Sequence, residues 1–256
     1  MTEPVAKRFQ RPALLFVMRS PAPSYILCVT NLASVYVTFK RNSAERSGNM
    51  KNLSPPPYLL PIRSLSLLYI SLYTTSLLTQ PPANTLSSIT TTQKMLKASS
   101  ILHIPVYATT QNRAGLGETC AELDLSNAVE HVDKTAFSMW TPSISQHFSS
   151  AEPSEVIIVG IESHICVTQT ALDLLAHGHK VYILADGISS RNAEEVPIAL
   201  ARLRSAGAVI TTSESMIYEI VGDAKREEFK AIVGLVKEYI ADTKDVMSTL
   251  LGKSKI

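Results

Sequence analysis

Glu155–His179 reads EVIIVGIESHICVTQTALDLLAHGH, and its pattern decides the fold. Val156–Val159 is a run of four β-branched residues, the composition of a strand covered on both faces. Gly160 marks a tight turn. Val167, Ala171, Leu174 and Leu175 then recur at helical spacing until Gly178 stops the helix. Cys166 falls in the first turn of that helix, where free backbone N–H groups and the positive helix end favour a thiolate. On position alone the plainer reading leads: a free cysteine is among the most buried residue types, and a lone one is a weak signal.

Working outward, the pattern repeats on both sides. Upstream, Thr91–His103 reads as a helix through Met95, Leu96 and Ile101, with Lys94 and Lys97 on its exposed side. Ile104–Thr109 is a strand, Gln111–Asp124 a loop with two glycines, and Val132–Trp140 carries Lys134 before FSMW turns inward. Pro142 and Ser143 open a short helix toward Phe148. Downstream, Lys180–Ala185 is another buried strand. Asn192 with Glu195 forms a capping-box-like start for a helix over 193–206, which Gly207 ends. Ala208–Thr211 is a last short strand, and Ser213 caps a helix through Ile220. Asp223 caps a long final helix whose apolar face holds Phe229, Ile232, Val233, Val236 and Ile240. Strands alternating with helices imply α/β: a Rossmann-like three-layer α/β/α sandwich with a mostly parallel sheet. A ligand then belongs at the strand carboxyl ends, and Cys166 lies just past one of them.

The 256 residues suffice for one such domain plus an appendage. The net charge of +2 hides an asymmetry: residues 1–117 hold two acids and twelve Lys/Arg, residues 118–256 twenty acids and twelve Lys/Arg. The halves therefore carry +10 and −8. The bases are scattered rather than clustered, so no nucleic-acid partner is expected. Three cysteines, Cys28, Cys120 and Cys166, have no paired framework or CxxC spacing, which fits a reducing compartment. The N-terminus has no signal-peptide pattern and only weak presequence character, so the expected location is cytoplasmic, with mitochondria second.

Residues 19–90 break the pattern. SPAPS, SPPPY and TQPPAN deny the N–H groups that helices and central strands need. Leu59–Leu78 is the most apolar section, but Pro61, Arg63 and many hydroxyls make it a poor membrane span. The expected organisation is a first-strand region at 1–17 (PALLFVM, residues 12–18), and a disordered or loosely packed insert at 18–90. The main domain is then expected at 91–242, with a frayed tail at 243–256.

GIESHICV, with DKTAFSMW (Asp133–Trp140) about thirty residues upstream, resembles the isochorismatase-like cysteine hydrolases. ILADGISSR (Ile183–Arg191) and TTSESMIYEIVGDAKREEFKAI (Thr211–Ile232) resemble the eukaryotic isochorismatase domain-containing branch. The resemblance covers roughly 91–240 and leaves out 18–90. It implies a hydrolase of a small amide or ester, with Cys166 as nucleophile and Lys134, in the context K-T-x-F-S-M, beside it. It also implies an oxyanion turn at Ile161 and Glu162, with a cis peptide between them, and substrate contacts at Gln111, Arg113 and His164. Homo-oligomers are common in that family. For Lys134 the plain alternative is a surface lysine at a strand end, and for Gln111 and Arg113 solvated loop residues. For His164 the first alternative is a structural residue that shapes the turn, and His164 and Glu162 stand also as substitutes for a missing group.

The missing group is an acid. The family's first strand ends in a catalytic Asp, yet no acid stands near residue 18 and none occurs from 46 to 117. Losing a general base can remove roughly 10²–10⁴-fold of rate. The alternative reading is therefore a catalytically inactive homologue serving as a binding or oligomerisation module; a third is a protein tethered through 19–90. Asp186 and Arg191 read as braces for the loop after their strand. No D-x-H-x-H cluster and no G-x-x-x-x-G-K-[ST] phosphate loop occurs, so neither metal nor cofactor is expected.

Overall fold

A computed structural model describes residues 65–70, 83–149 and 152–250, all within one compact unit, Pro55–Ile256. Six parallel strands run β1 (Leu65–Ile70), β2 (Val106–Gln111), β3 (Glu130–Lys134), β4 (Glu155–Ile161), β5 (Lys180–Ser189) and β6 (Val209–Thr211). Their order in the sheet is β3-β2-β1-β4-β5-β6. The longer helices are α1 (Ala83–Leu102), α2 (Thr168–Ala176), α3 (Glu195–Ser205), α4 (Ser213–Val221), α5 (Phe229–Glu238) and α6 (Ile240–Leu250). Among the described residues, none is long and apolar enough to cross a membrane.

Strand alternation builds the three layers. Ile157, Val159 and Ile161 of β4, with Tyr182 and Leu184 of β5, pack against α1, α4 and α5 through Met95, Met216, Ile220 and Ile232. The intervening Val156, Ile158, Val181 and Ile183 face the other way, against Ala171 and Leu174 of α2 and Leu200 and Leu203 of α3. Cys166 belongs to this second core. The strand order reverses between β1 and β4, and in open sheets of this kind ligands bind at the strand carboxyl ends beside such a reversal.

The chain departs from the sequence reading in several places. β1 sits at the centre of the sheet, paired with β2 on one side and β4 on the other. It is LSLLYI, inside the stretch expected to be an insert; the run expected as first strand, residues 12–18, lies outside the described residues, as does the rest of 1–64. The expected domain start at 91 falls inside α1, which begins at Ala83. The extension TLSSITTT lacks an apolar period, but Ser88 and Thr92 donate their hydroxyls to the Thr85 and Ser88 carbonyls, 2.8 Å each. Lys94 is buried, not exposed, and donates to Thr243 Oγ1 at 3.0 Å. That bond and the buried Val246 also hold part of the expected tail, as α6. Thr212, rather than Ser213, caps α4, accepting from the Ser215 N–H at 3.4 Å.

β4 does not end at Gly160. It continues to Ile161 through a register shift against β5, where Ile158 pairs with Ile183 but Gly160 pairs with Ile188. Such irregularities re-aim side chains at a strand end. Gly160 adopts φ 130°, open essentially to glycine. Gly187, in the shifted stretch, lies so close to β4 that a Cβ there would meet Val159 Cγ1 at 2.8 Å.

Candidate active site

Beyond Ile161 the backbone turns at Glu162 (φ −20°, ψ 103°) into a π-helical turn, Ser163–Val167, which runs into α2. The Glu162 carbonyl accepts from the N–H groups of Ile165 (3.1 Å) and Val167 (3.2 Å). Single π turns of this kind occur often at functional sites. The expected cis bond is not present: among the described residues every peptide bond, Ile161–Glu162 included, is trans. Ser190, just past β5, braces the turn. Its hydroxyl accepts from the Ser163 N–H at 3.0 Å, meets Ser163 Oγ at 2.5 Å and lies 3.2 Å from His164 Nδ1. His164 Nδ1 also stands 3.7 Å from Glu162 Oε2. The Glu162 carboxylate accepts from the Arg191 N–H at 3.3 and 3.4 Å. Asp186 braces further away, accepting from the Ser213 N–H at 2.8 Å and from the Ser213 hydroxyl.

This turn places Cys166 at the C-terminal end of β4, 3% exposed and without a disulfide. Lys134 ends β3 and is also buried. Gln111 ends β2 as its register partner, so the two side chains project from the same face. Lys134 Nζ donates to Gln111 Oε1, to the Ala136 carbonyl at 2.9 Å and to the Phe137 carbonyl at 3.0 Å. Gln111 Nε2 in turn donates to the Thr135 carbonyl at 2.8 Å. Both ends of the amide of Gln111, expected at the substrate, are thus engaged within the protein. Arg113 follows in a short helical turn, its N–H on Asp133 Oδ1 at 2.9 Å and its guanidinium 3.0 Å from Glu118. Of FSMW, Ser138 and Met139 turn inward as expected, but Phe137 is 53% exposed beside the lysine.

The electrostatics differ from the expectation of a ready thiolate. Burial pushes the Cys166 thiol up; the Lys134 charge pulls it down and Glu162 pushes it further up. Burial likewise lowers Lys134, against the raising influence of Cys166 and Asp133. Burial raises Glu162, opposed by the Arg191 N–H and the charges of His164 and Arg191. Desolvation dominates all three because the site is closed. Cys120 belongs to the core on the other face of the sheet, and burial pushes it up to about 11. No carboxylate among the described residues pairs with Lys134. On β1 the residue nearest this end, Ile70, pairs in register with Thr109, whose buried hydroxyl has no partner among the described residues.

Lys134, Cys166 and the turn, named from sequence, lie at carboxyl ends of strands of one sheet. Sequence reasoning missed Ser190 and the Gln111–Lys134 bond. The serine pair before Arg191 was a visible signal, since a hydroxyl just past a strand can staple a neighbouring turn. The Ala136 and Phe137 carbonyls carry no sequence signal.

Comparison with known proteins bears on the same residues. The family model described as the isochorismatase domain matches residues 75–215, more than half of the chain. A secreted isochorismatase effector, Isc1, of Phytophthora sojae is 40% identical over 155 residues, covering 58% of this chain and 74% of the relative. Isochorismatase domain-containing protein 1 of Salmo salar is 40% identical over 146 residues, covering 57% of this chain and 52% of the relative. The chain thus spans about half the length of that second relative. A solved structure named MAR1 ribonuclease from Caenorhabditis elegans is 32% identical with TM-score 0.63, covering 70% of this chain and 92% of that one. The YcaC gene product of Escherichia coli, described as an octameric hydrolase of unknown specificity, shares the fold at 18% identity and TM-score 0.63, over 78% of this chain and all of its own. The matched region runs from the residues just after β1 to the start of α4 and so contains Gln111, Lys134, the π turn and Cys166: the chain belongs to the isochorismatase domain family.

Proposed function

We propose that this chain is an isochorismatase-like cysteine hydrolase of a small amide or ester, with Cys166 as nucleophile and Lys134 as its electrostatic partner. The observation that carries the reading is a buried ammonium and a buried thiol at the carboxyl ends of β3 and β4, each feeling the other's charge across the same end of the sheet. In the reaction, Sγ attacks the substrate carbonyl carbon and the oxygen takes the negative charge. The N–H groups of Glu162 and Cys166 stabilise that oxyanion, and the Lys134 charge acts on the same end of the sheet. Collapse breaks the C–N or C–O bond as the leaving amine or alcohol takes up the proton given up by the thiol, and water then cleaves the thioester to the carboxylic acid and the free thiol. The thiol proton needs an acceptor, and Glu162 is the carboxylate coupled to Cys166. Its raised pKa brings it nearer to the thiol's, as proton transfer requires. Arg113 and His164 remain as substrate contacts at the rim. A small-molecule substrate, a cytoplasmic location and homo-oligomers of the YcaC kind complete the reading.

The second reading is an inactive homologue acting as a binding or oligomerisation module, favoured by the raised thiol and by a β1 without an acid. Hydrolysis of a panel of small activated esters and anilides separates the two. The enzyme reading expects turnover that falls at least ~10²-fold in Cys166→Ala and in Lys134→Met. No turnover on any member leaves the binding module. Cleavage of RNA that depends on Cys166, suggested by the name of the C. elegans neighbour, would displace the small-ester reading.

A further inference from the structure

We propose that Gln111 is a positioning residue, whose side-chain carbonyl holds the Lys134 ammonium in place without neutralising it, so that the whole positive charge acts on Cys166. This rests on the reading of Lys134 and Cys166 as functional partners. Three observations carry it.

First, every acceptor on the ammonium among the described residues is neutral: Gln111 Oε1 and the carbonyls of Ala136 and Phe137. An ammonium has three donors, so its donor capacity is filled and its direction fixed. Second, Gln111 is itself held. It is 7% exposed, its Nε2 donates to the Thr135 carbonyl, and it faces Lys134 across the last rung of β2 and β3. The Thr135 bond decides the amide's orientation and turns its oxygen to the lysine. Third, the nearby Asp133 is diverted, since its carboxylate accepts from the Arg113 N–H rather than pairing with the ammonium. A carboxylate in place of the amide would form an ion pair and cancel most of the field at the thiol. An apolar side chain would leave the ammonium with two acceptors and freedom to swing away. The amide supplies acceptance without charge.

The test is the pH midpoint of Cys166 alkylation by iodoacetamide, followed by peptide mass mapping in the full chain, with thermal unfolding measured in parallel. Lys134→Met should raise the midpoint by about one pH unit, as expected for losing a nearby opposite charge. Gln111→Leu should raise it by about half a unit, and Gln111→Glu should raise it too, through neutralisation. In the Lys134→Met background, Gln111→Leu should change nothing further, because the amide acts only through the lysine. If Lys134→Met moves the midpoint but Gln111→Leu and Gln111→Glu leave it in place, the positioning role is overturned and the Lys134–Cys166 reading survives. A change in melting temperature without a change in midpoint would assign Gln111 a packing role only. If Lys134→Met itself leaves the midpoint unmoved, both fall. Should Gln111→Leu fail to fold, the near-isosteric Gln111→Glu decides alone.

Discussion

Gly187→Ala puts the join between β4 and β5 under direct load. The added Cβ would meet Val159 Cγ1 at 2.8 Å, Thr91 Cγ2 at 3.2 Å and Leu184 Cβ at 3.3 Å. Val159 is fully buried and Thr91 nearly so, and both are β-branched, so neither has a rotamer to yield into. Overpacking of this kind costs about 1–3 kcal/mol. Against it stands a gain of about 0.4–1 kcal/mol from stiffening the unfolded chain. The expected net loss is about 1–2 kcal/mol, or a fall of roughly 2–8 °C in melting temperature for a domain this size. Urea and thermal unfolding of Gly187→Ala, Val159→Ala and the double variant measure it. Val159→Ala removes the clashing methyl, so the double variant should be more stable than additivity predicts, by about 1 kcal/mol. Wild-type stability in Gly187→Ala, or strict additivity in the double variant, would refute the close-approach account of this glycine.

Three further outcomes are expected. Asp186→Ala strands the Ser213 N–H and hydroxyl in the interior, and losing hydrogen bonds to a buried charge should cost about 2–4 kcal/mol. Amide exchange at the start of α4 should accelerate with it. His179 accepts from the Ser154 N–H through Nδ1 at 3.1 Å, and burial, then the charge of His177, lowers its pKa from 6.5. The unfolded chain therefore binds a proton that the native one resists. The stability contribution is full above pH 6.5 and declines as the pH falls from there toward the lowered native value. His179→Gln should flatten urea midpoints across that window. Lys94 is lowered by burial despite the charges of Asp186, Glu214 and Asp242, so its charged form is costly at neutral pH. Lys94→Met should leave melting unchanged or raise it by a few degrees, roughly 1 kcal/mol; a large loss would mean that the Thr243 bond outweighs desolvation.

The legibility of the chain followed burial. Glu155–His179 announced its strand and helix because Val156–Val159 are covered on both faces and the α2 stripe keeps one period. β1 was hidden: LSLLYI carries three leucines and a serine amid prolines, and only its pairing with β2 and β4 makes it a central strand. The start of α1 was hidden for a related reason, since its hydroxyls satisfy themselves on the helix's own carbonyls rather than marking an apolar face. Lys94 looked like a solvent residue because its burial depends on α6, 149 positions away. At the site, Cys166 and Lys134 were legible through motif context. The state of the thiol was not, because its burial comes from packing in the core that also holds Met139, Val167 and Ala171, residues brought there by separate elements. The Gln111–Lys134 bond needed the register of β2 on β3, which a loop reading of residue 111 does not contain.

The most direct test of the central claim is rapid-quench mass spectrometry of the full chain with a small activated ester. The account predicts a transient acyl adduct on the peptide carrying Cys166 and none on those carrying Cys28 or Cys120, forming more slowly in Lys134→Met. Turnover that persists in Cys166→Ala, or hydrolysis with no adduct on Cys166 at any quench time, would contradict it.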